Sequence, residues 1–314
     1  MLKEYAVRPS VMGQSWEQFR YLLDAFGFER GRLMLRLPDG WEKQVIQAAE
    51  DAGVREIDIL RIIEKLRGAK SQRALINSDA VYESATDWLD NAIAHHQADP
   101  FHAIINDATV PGQDYIITTD DIDAEHPIWH STHDWEIPRS ARNLADCMKP
   151  LIRVAKQISI VDPFFDLRPG RGHYVDTLTE ILTDLGNSPA RKVQFQIHYR
   201  TDDRRPPVEF LEENAGRWVD GIIPNGIHLE LFEWGTDPRG EVFHDRHLLC
   251  DCGGLSIGHG FDAAGDHGNA LVSIHSYAVS QQLKAKFDVD SSPYHLAQPI
   301  LSISSDGKVT RLLH

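Results

Sequence analysis

Apolar residues in the first part of the chain recur at helical spacing. Ser15 and Gln18 form a capping-box pair ahead of Phe19, Leu22, Leu23 and Phe26, which share one face of an amphipathic helix. Trp41, Val45, Ile46 and Ala49 keep that period as far as Gly53, and Ile57, Leu60, Ile63 and Leu66 repeat it as far as Gly68. A fourth helix is expected through Tyr82, Ala85, Trp88, Leu89 and Ile93, ending by His96. Between Asp99 and Arg142 the period fades into loop, with one strand expected at 115–118, Tyr-Ile-Ile-Thr.

Beyond Arg142 the pattern changes to strands alternating with helices. A helix through Leu144, Met148, Leu151 and Val154 leads to a strand at 158–161, a helix at 172–185 and a strand at 193–199. A helix at 208–219, a strand at 227–234 and a hairpin follow, with further strands at 271–274 and 300–303. Strands separated by helices of this length predict an α/β architecture, a mixed sheet flanked by helices on both faces, with ligands gathered at the carboxyl ends of strands. The chain therefore reads as a mostly helical N-terminal region, 1–141, without visible reaction chemistry, followed by an α/β domain, 142–314.

The densest chemistry lies in the hairpin stretch 243–262, Phe-His-Asp-Arg-His-Leu-Leu-Cys-Asp-Cys-Gly-Gly-Leu-Ser-Ile-Gly-His-Gly-Phe-Asp. Gly253-Gly254 is expected to supply the positive backbone angles of a tight two-residue turn. His244 and Arg246 are two apart, so an extended strand presents both to one face. A guanidinium orients an anion through charge-assisted hydrogen bonds while an imidazole attacks or transfers a proton, so the pair suits a phosphate. Past the turn, Gly258 and Gly260 flank His259 and let backbone approach a ligand closely. Upstream, Asp162-Pro-Phe-Phe-Asp166 closes a predicted strand, and Arg168 and Arg171 stand before a helix start, where an oxyanion is favoured. The plain alternatives are solvated arginines on a Pro/Gly turn and a sheet-face histidine.

The spacing from His244 runs His, one residue, Arg246, four residues, Asp251, six residues, Gly258. It resembles the signature of the phospholipase D superfamily, His-x-Lys, four residues, Asp, six residues, Gly-Ser. Arg246 stands at the position of the family's Lys, His259 at that of its Ser, and Phe261 or Asp262 falls near its Asn. The Asp162-Pro-Phe-Phe ending is similar to the first strand of such repeats, so the resemblance covers roughly 144–314. It implies a metal-independent phosphodiesterase without cofactor, with one histidine forming a phosphohistidine and another protonating the leaving oxygen. With a single motif it implies a homodimer that shares the site, His244, Arg246 and Asp251 being the catalytic set and nucleic acid or a phosphodiester lipid the substrate. The sequence is also similar to the phospholipase D-like C-terminal domain of certain MIT-domain proteins, which implies a module that binds phosphoinositide without hydrolysis.

Charge and composition narrow the classes. A net charge of −15 counts against a protein that coats nucleic acid through long-range attraction, but not against a local basic cleft. Seven of the nine arginines from Arg168 to Arg246 (168, 171, 200, 204, 205, 239 and 246) are candidates for such a cleft. No apolar run reaches bilayer length and the N-terminus has no apolar signal region, so a cytoplasmic protein without a transmembrane segment is expected. Cys147, Cys250 and Cys252 make no disulfide framework. His126, His130 and His133, beside Asp134, form the best metal-like cluster, the alternative being a histidine-rich loop over Trp129 and Trp135. His198 and His228 fall on predicted strands and read as core or sheet-face residues.

Overall fold

The computed structural model describes residues 2–71, 75–77, 81–123, 125–187, 192–263 and 268–312, and the chain forms two compact units, Met1–His133 and Asp134–His314. Unit 1 runs β1 (Lys3–Val7), α1 (Pro9–Gly13), α2 (Trp16–Asp24), β2 (Arg32–Arg36), α3 (Trp41–Asp51), α4 (Glu56–Ser71), β3 (Leu75–Asn77), α5 (Trp88–Ala98), β4 (Ala103–Ile105) and β5 (Ile116–Ile117). The predicted helices form. Ser15 caps α2 by accepting the Gln18 N–H at 3.1 Å, and Trp41, Val45 and Ala49 make the buried face of α3. The fourth helix starts at Trp88 and not near Tyr82, because Asp87 caps it by accepting the Leu89 N–H at 2.8 Å.

The helix-rich N-terminal region is built on a five-stranded parallel sheet, β3-β2-β1-β4-β5, of which the pattern predicted only the last strand. Its strands hold two to five residues, and those of β1, β2 and β4 bury consecutive positions. A strand covered on both faces shows no alternation, and a short apolar run does not separate strand from helix. Tyr5, Met12, Phe19, Trp41 and Trp129 are among the residues of this unit's own core.

Unit 2 runs β6 (Asp134–Pro138), α6 (Ala141–Ile152), β7 (Gln157–Val161), α7 (Tyr174–Gly186), β8 (Gln194–Arg200), α8 (Val208–Trp218), β9 (His228–Trp234), β10 (His247–Cys250), β11 (Gly254–Ile257), β12 (Asn269–Ile274), α9 (Tyr277–Ala285), β13 (Ile300–Ser304) and β14 (Val309–Leu312). A nine-stranded mixed sheet has the order β14-β13-β9-β8-β7-β10-β11-β12-β6, with β7, β8 and β9 parallel and the other pairings antiparallel. The α/β architecture with flanking helices is the predicted one. The unit begins at Asp134 and not at 142, because the unpredicted strand β6 pairs with β12.

One face of the sheet, with Val161, Phe232, Trp234 and Leu249, packs against Phe243, Leu283 and Phe287. Lower on that face, Ser159 donates to Gln196, and Gln194 and Gln196 both donate to one oxygen of Glu230 at 3.1 Å. These polar residues line a cavity of about 280 Å³.

The hairpin differs in detail from expectation. Asp251 and Cys252 occupy the centre of its turn, closed by the Cys250 N–H donating to the Gly253 carbonyl at 2.8 Å. Neither Gly253 nor Gly254 is among the positive-φ glycines. Gly254 instead permits close packing, since a Cβ there would stand 2.9 Å from the Ser280 Oγ of α9 and 3.1 Å from the Leu248 carbonyl.

Candidate functional site

The carboxyl ends of β7 and β8, the approach to β10 and the exit of β11 meet at one edge of the unit 2 sheet. Asp162 directly follows β7, Arg200 ends β8, Arg246 precedes β10 and Gly258 follows β11. Backbone bonds extend the ladders into this edge: the Asp162 N–H donates to the His198 carbonyl at 3.0 Å and the Ile257 N–H to the Arg246 carbonyl at 3.0 Å. Arg246 is thus held by the sheet although β10 begins one residue later. His244, expected on the strand, lies in the loop before it, exposed, with Phe243 buried beneath.

Two guanidinium groups converge here on one aromatic ring, and an imidazole meets one of them. Phe164 is 39% exposed, and the Arg200 and Arg246 guanidinium carbons stand 4.6 and 5.2 Å from its ring centroid. Arg200 Nη1 donates to His244 Nδ1 at 3.4 Å. A guanidinium has no lone pair to offer, so Nδ1 accepts and the neutral imidazole carries its proton on Nε2. Arg246 Nη1 donates to the Gly258 carbonyl at 3.2 Å, and its Nε stands 3.7 Å from Asp162 Oδ1.

Asp162 anchors the cluster from below. Its side chain is buried, with Oδ1 accepting the Phe164 N–H at 2.9 Å and Oδ2 the Phe261 N–H at 3.0 Å. Burial pushes its carboxyl above the usual range, against the opposing pull of the two N–H donors and Arg246. Gly260 has a φ of +77°, and a Cβ on it would lie 2.1 Å from Asp162 Oδ2 and 2.6 Å from Arg246 Cδ. The expected glycine approach therefore exists, but it brings backbone to the Asp162–Arg246 pair.

The remaining predicted residues separate. Asp251 stands beyond β10, at the other end of that strand from Arg246, where its Oδ1 accepts the Lys156 and Gln157 N–H groups at 2.9 and 3.3 Å. The structure therefore does not bring it to His244 and Arg246. Arg168 makes a two-pronged pair with Asp166, at 2.7 Å through Nη2, which neutralises its charge. Arg171 lies exposed in the turn after it, and His259 is exposed between the two glycines. At the start of α7 a carboxylate already stands, Asp262 Oδ1 accepting the His173 N–H at 2.7 Å. Of the other arginines, Arg204 pairs with Asp202, and Arg205 bonds the Pro163 and Phe165 carbonyls and stacks on Tyr199.

Among the described residues no group of three or more His, Cys, Asp or Glu side chains has a metal-holding arrangement. His126, His130 and His133 do not converge. Trp129 lies in the unit 1 core and His133 Nε2 contacts the Glu29 carbonyl at 3.0 Å, while Trp135 belongs to β6 of unit 2. His198 is a core residue, accepting from Trp234 Nε1 at 3.1 Å, with burial pushing its imidazole down to about 3. His228 is exposed on β9. Sequence reasoning missed Asp162 and Phe164 as site residues and held Arg200 only as one of several cleft candidates. Their signal was positional, since each stands at or just past the carboxyl end of a predicted parallel strand.

No protein-family model matches the chain, and no curated protein matches it in sequence. Solved structures with partial likeness include TrmBL2, an archaeal chromatin protein with a novel mode of DNA binding, at 13% identity and a TM-score of 0.25, over 73% of this chain and 79% of that one. Phosphatidylserine synthase of Haemophilus influenzae Rd KW20 aligns at 13% identity and a TM-score of 0.33, over 50% of this chain and 36% of that one. Polyphosphate kinase of Porphyromonas gingivalis aligns at 10% identity and a TM-score of 0.33, over 76% of this chain and 36% of that one. The alignments thus span about a third of either enzyme, and at such TM-scores they assign neither family nor activity. Among the described residues no helix is long and apolar enough to cross a membrane.

Proposed function

We propose that unit 2 is a phospholipase D-like module whose site at Phe164 receives the phosphate of a phosphodiester. The observation that carries this reading is the convergence of Arg200 and Arg246 on one exposed ring at the carboxyl ends of β7 and β8, with His244 against Arg200. Arg246 is partly balanced by Asp162, whereas no carboxylate oxygen among the described residues stands within 4.0 Å of Arg200 in an ion pair. An anion completes that arrangement through charge-assisted hydrogen bonds. The proton on His244 Nε2 adds a third donor.

The catalytic extension is a metal-independent phosphodiesterase, with nucleic acid the preferred substrate and a site completed by a second copy of the chain. One imidazole attacks phosphorus, the P–O bond breaks with its electron pair passing to the leaving oxygen, and the other copy's His244 protonates that oxygen. Water then releases the phosphohistidine. A neutral His244 that accepts from Arg200 through Nδ1 is neither the nucleophile, which needs a free Nε2 lone pair, nor the imidazolium that a leaving-group acid must be, so the single chain favours recognition over attack.

Cleavage of labelled single- and double-stranded DNA and RNA in EDTA, by the protein and its His244→Asn variant, tests the pair of readings. Cleavage that survives EDTA and is lost in the variant supports phosphodiesterase chemistry. Binding of a short oligonucleotide without cleavage, weakened by Arg200→Ala, supports a recognition module. Binding indifferent to both Arg200→Ala and His244→Asn overturns the site.

A further inference from the structure

Phe164, Arg246 and the 258–261 turn come from different stretches of chain, yet one buried side chain contacts all of them. Asp162 accepts the N–H of Phe164, which fixes the residue bearing the exposed ring. It accepts the N–H of Phe261, which ties down the turn whose Gly258 carbonyl holds Arg246 Nη1. It also faces Arg246 Nε at 3.7 Å. Gly260 closes the space behind the pair, where even a methyl group would overlap both partners. With a side chain 1% exposed, Asp162 has no access to a ligand in the cleft.

We propose that Asp162 is the positioning residue of the anion site: its carboxylate sets where Phe164, Arg246 and the 258–261 turn stand, and the anion meets those groups and not Asp162. This rests on the phosphate reading of the site. The ionised carboxylate offers lone pairs to both N–H donors and a charge to Arg246. The protonated acid weakens the attraction to Arg246 and turns one oxygen into a hydroxyl. The charged and titratable groups that face it are Arg246, Asp262 and the buried Tyr174 hydroxyl. Burial raises its carboxyl and so brings this change nearer to ordinary working conditions.

Electrostatics alone and positioning predict opposite signs for Asp162→Asn. Removing a negative charge beside two arginines tightens anion binding by Coulomb attraction, whereas losing the placement of Arg246 weakens it. The expected result is sulfate binding weaker by about tenfold, the scale of one weakened charge-assisted hydrogen bond. Sulfate is the probe because it stays fully charged across the pH range. The second readout needs no ligand: the Arg246 Nε–H signal in a 15N–1H spectrum is expected to stand apart from exposed arginines and to collapse among them in Asp162→Asn. A pH profile in the His244→Asn background is expected to show this signal titrating with Asp162, and flat in the double variant.

Unchanged or tighter sulfate binding in Asp162→Asn, or an Arg246 signal indifferent to the substitution, overturns the proposal. Absence of any sulfate response at Arg200 and Arg246 in the unsubstituted protein overturns the phosphate reading instead, while the Arg246 signal still decides the role of Asp162. Should Asp162→Asn fail to fold, Arg246→Gln leaves both backbone bonds of Asp162 in place. Its carboxyl titration, followed by 13C resonance, must then move upward, and no movement sinks the idea.

Discussion

Gly260→Ala, set against Gly240→Ala, separates two costs that usually come together. Both glycines belong to unit 2 and both have positive φ, +77° and +83°. Around Gly240 nothing lies within 4 Å of an added Cβ, so the substitution meets only the left-handed backbone penalty, about 1–2 kcal/mol. At Gly260 the Cβ would stand 2.1 Å from Asp162 Oδ2 and 2.6 Å from Arg246 Cδ, well inside van der Waals contact. Relief moves the carboxylate off the Phe261 N–H and Arg246 off Asp162. A buried donor left without its partner costs about 1–3 kcal/mol more. The sum is roughly 2–5 kcal/mol, which for a unit of this size lowers Tm by about 10 °C, against about 4 °C for Gly240→Ala. Urea unfolding read by tryptophan fluorescence checks both, with sulfate binding measured on the folded variants. A Gly260→Ala protein no less stable than Gly240→Ala, with sulfate affinity intact, refutes the packing described here.

Arg200→Ala is expected to remove most anion affinity in a filter or calorimetric assay. Arg168→Ala is expected to leave it unchanged, because Asp166 already neutralises Arg168; equal losses would contradict this division. Asp251→Ala frees the Lys156 and Gln157 N–H groups and should lower stability by about 1–2 kcal/mol without altering oligonucleotide binding. Burial pushes the imidazoles of His198 and His247 down to about 3 and about 4, below their value of 6.5 in an open chain. The unfolded chain therefore takes up protons that the folded chain refuses. Stability is intact above pH 6.5 and falls as pH drops towards 4, by about 1.4 kcal/mol per pH unit for each group. A urea midpoint that stays level between pH 6.5 and 5.5 would rule this out.

Much of unit 2 was legible because its signals are local. Val208 to Val219 and Ile227 to Trp234 carry helix and strand periods that packing did not override, and the structure places α8 and β9 there. The sheet of unit 1 was not legible, since β1, β2 and β4 bury consecutive residues and look like fragments of helix. The site was half legible. His244, Arg246 and Gly258 are neighbours in sequence across a hairpin, so spacing brought them together. Arg200 and Asp162 reach the same edge only through the parallel register of β7 with β8, in which Val161 pairs with His198. Asp251 shows the converse error: a regular motif spacing drew it in, although a four-residue strand separates it from Arg246. Spacing along a chain does not reveal which end of a strand faces the chemistry.

The place of β6 has a consequence for biosynthesis. It is the first strand of unit 2 to leave the ribosome, yet its partner β12 follows only at Asn269–Ile274. For most of the time the unit takes to be made, β6 has bare backbone donors and acceptors and no native strand to receive them. Such a segment invites pairing with another nascent chain. Its sequence, Asp-Trp-Glu-Ile-Pro, works against that outcome: Asp134 and Glu136 place two negative charges on one side of the strand, and Pro138 removes an N–H at its end. The strand that waits longest for its place thus carries its own protection against joining the wrong sheet.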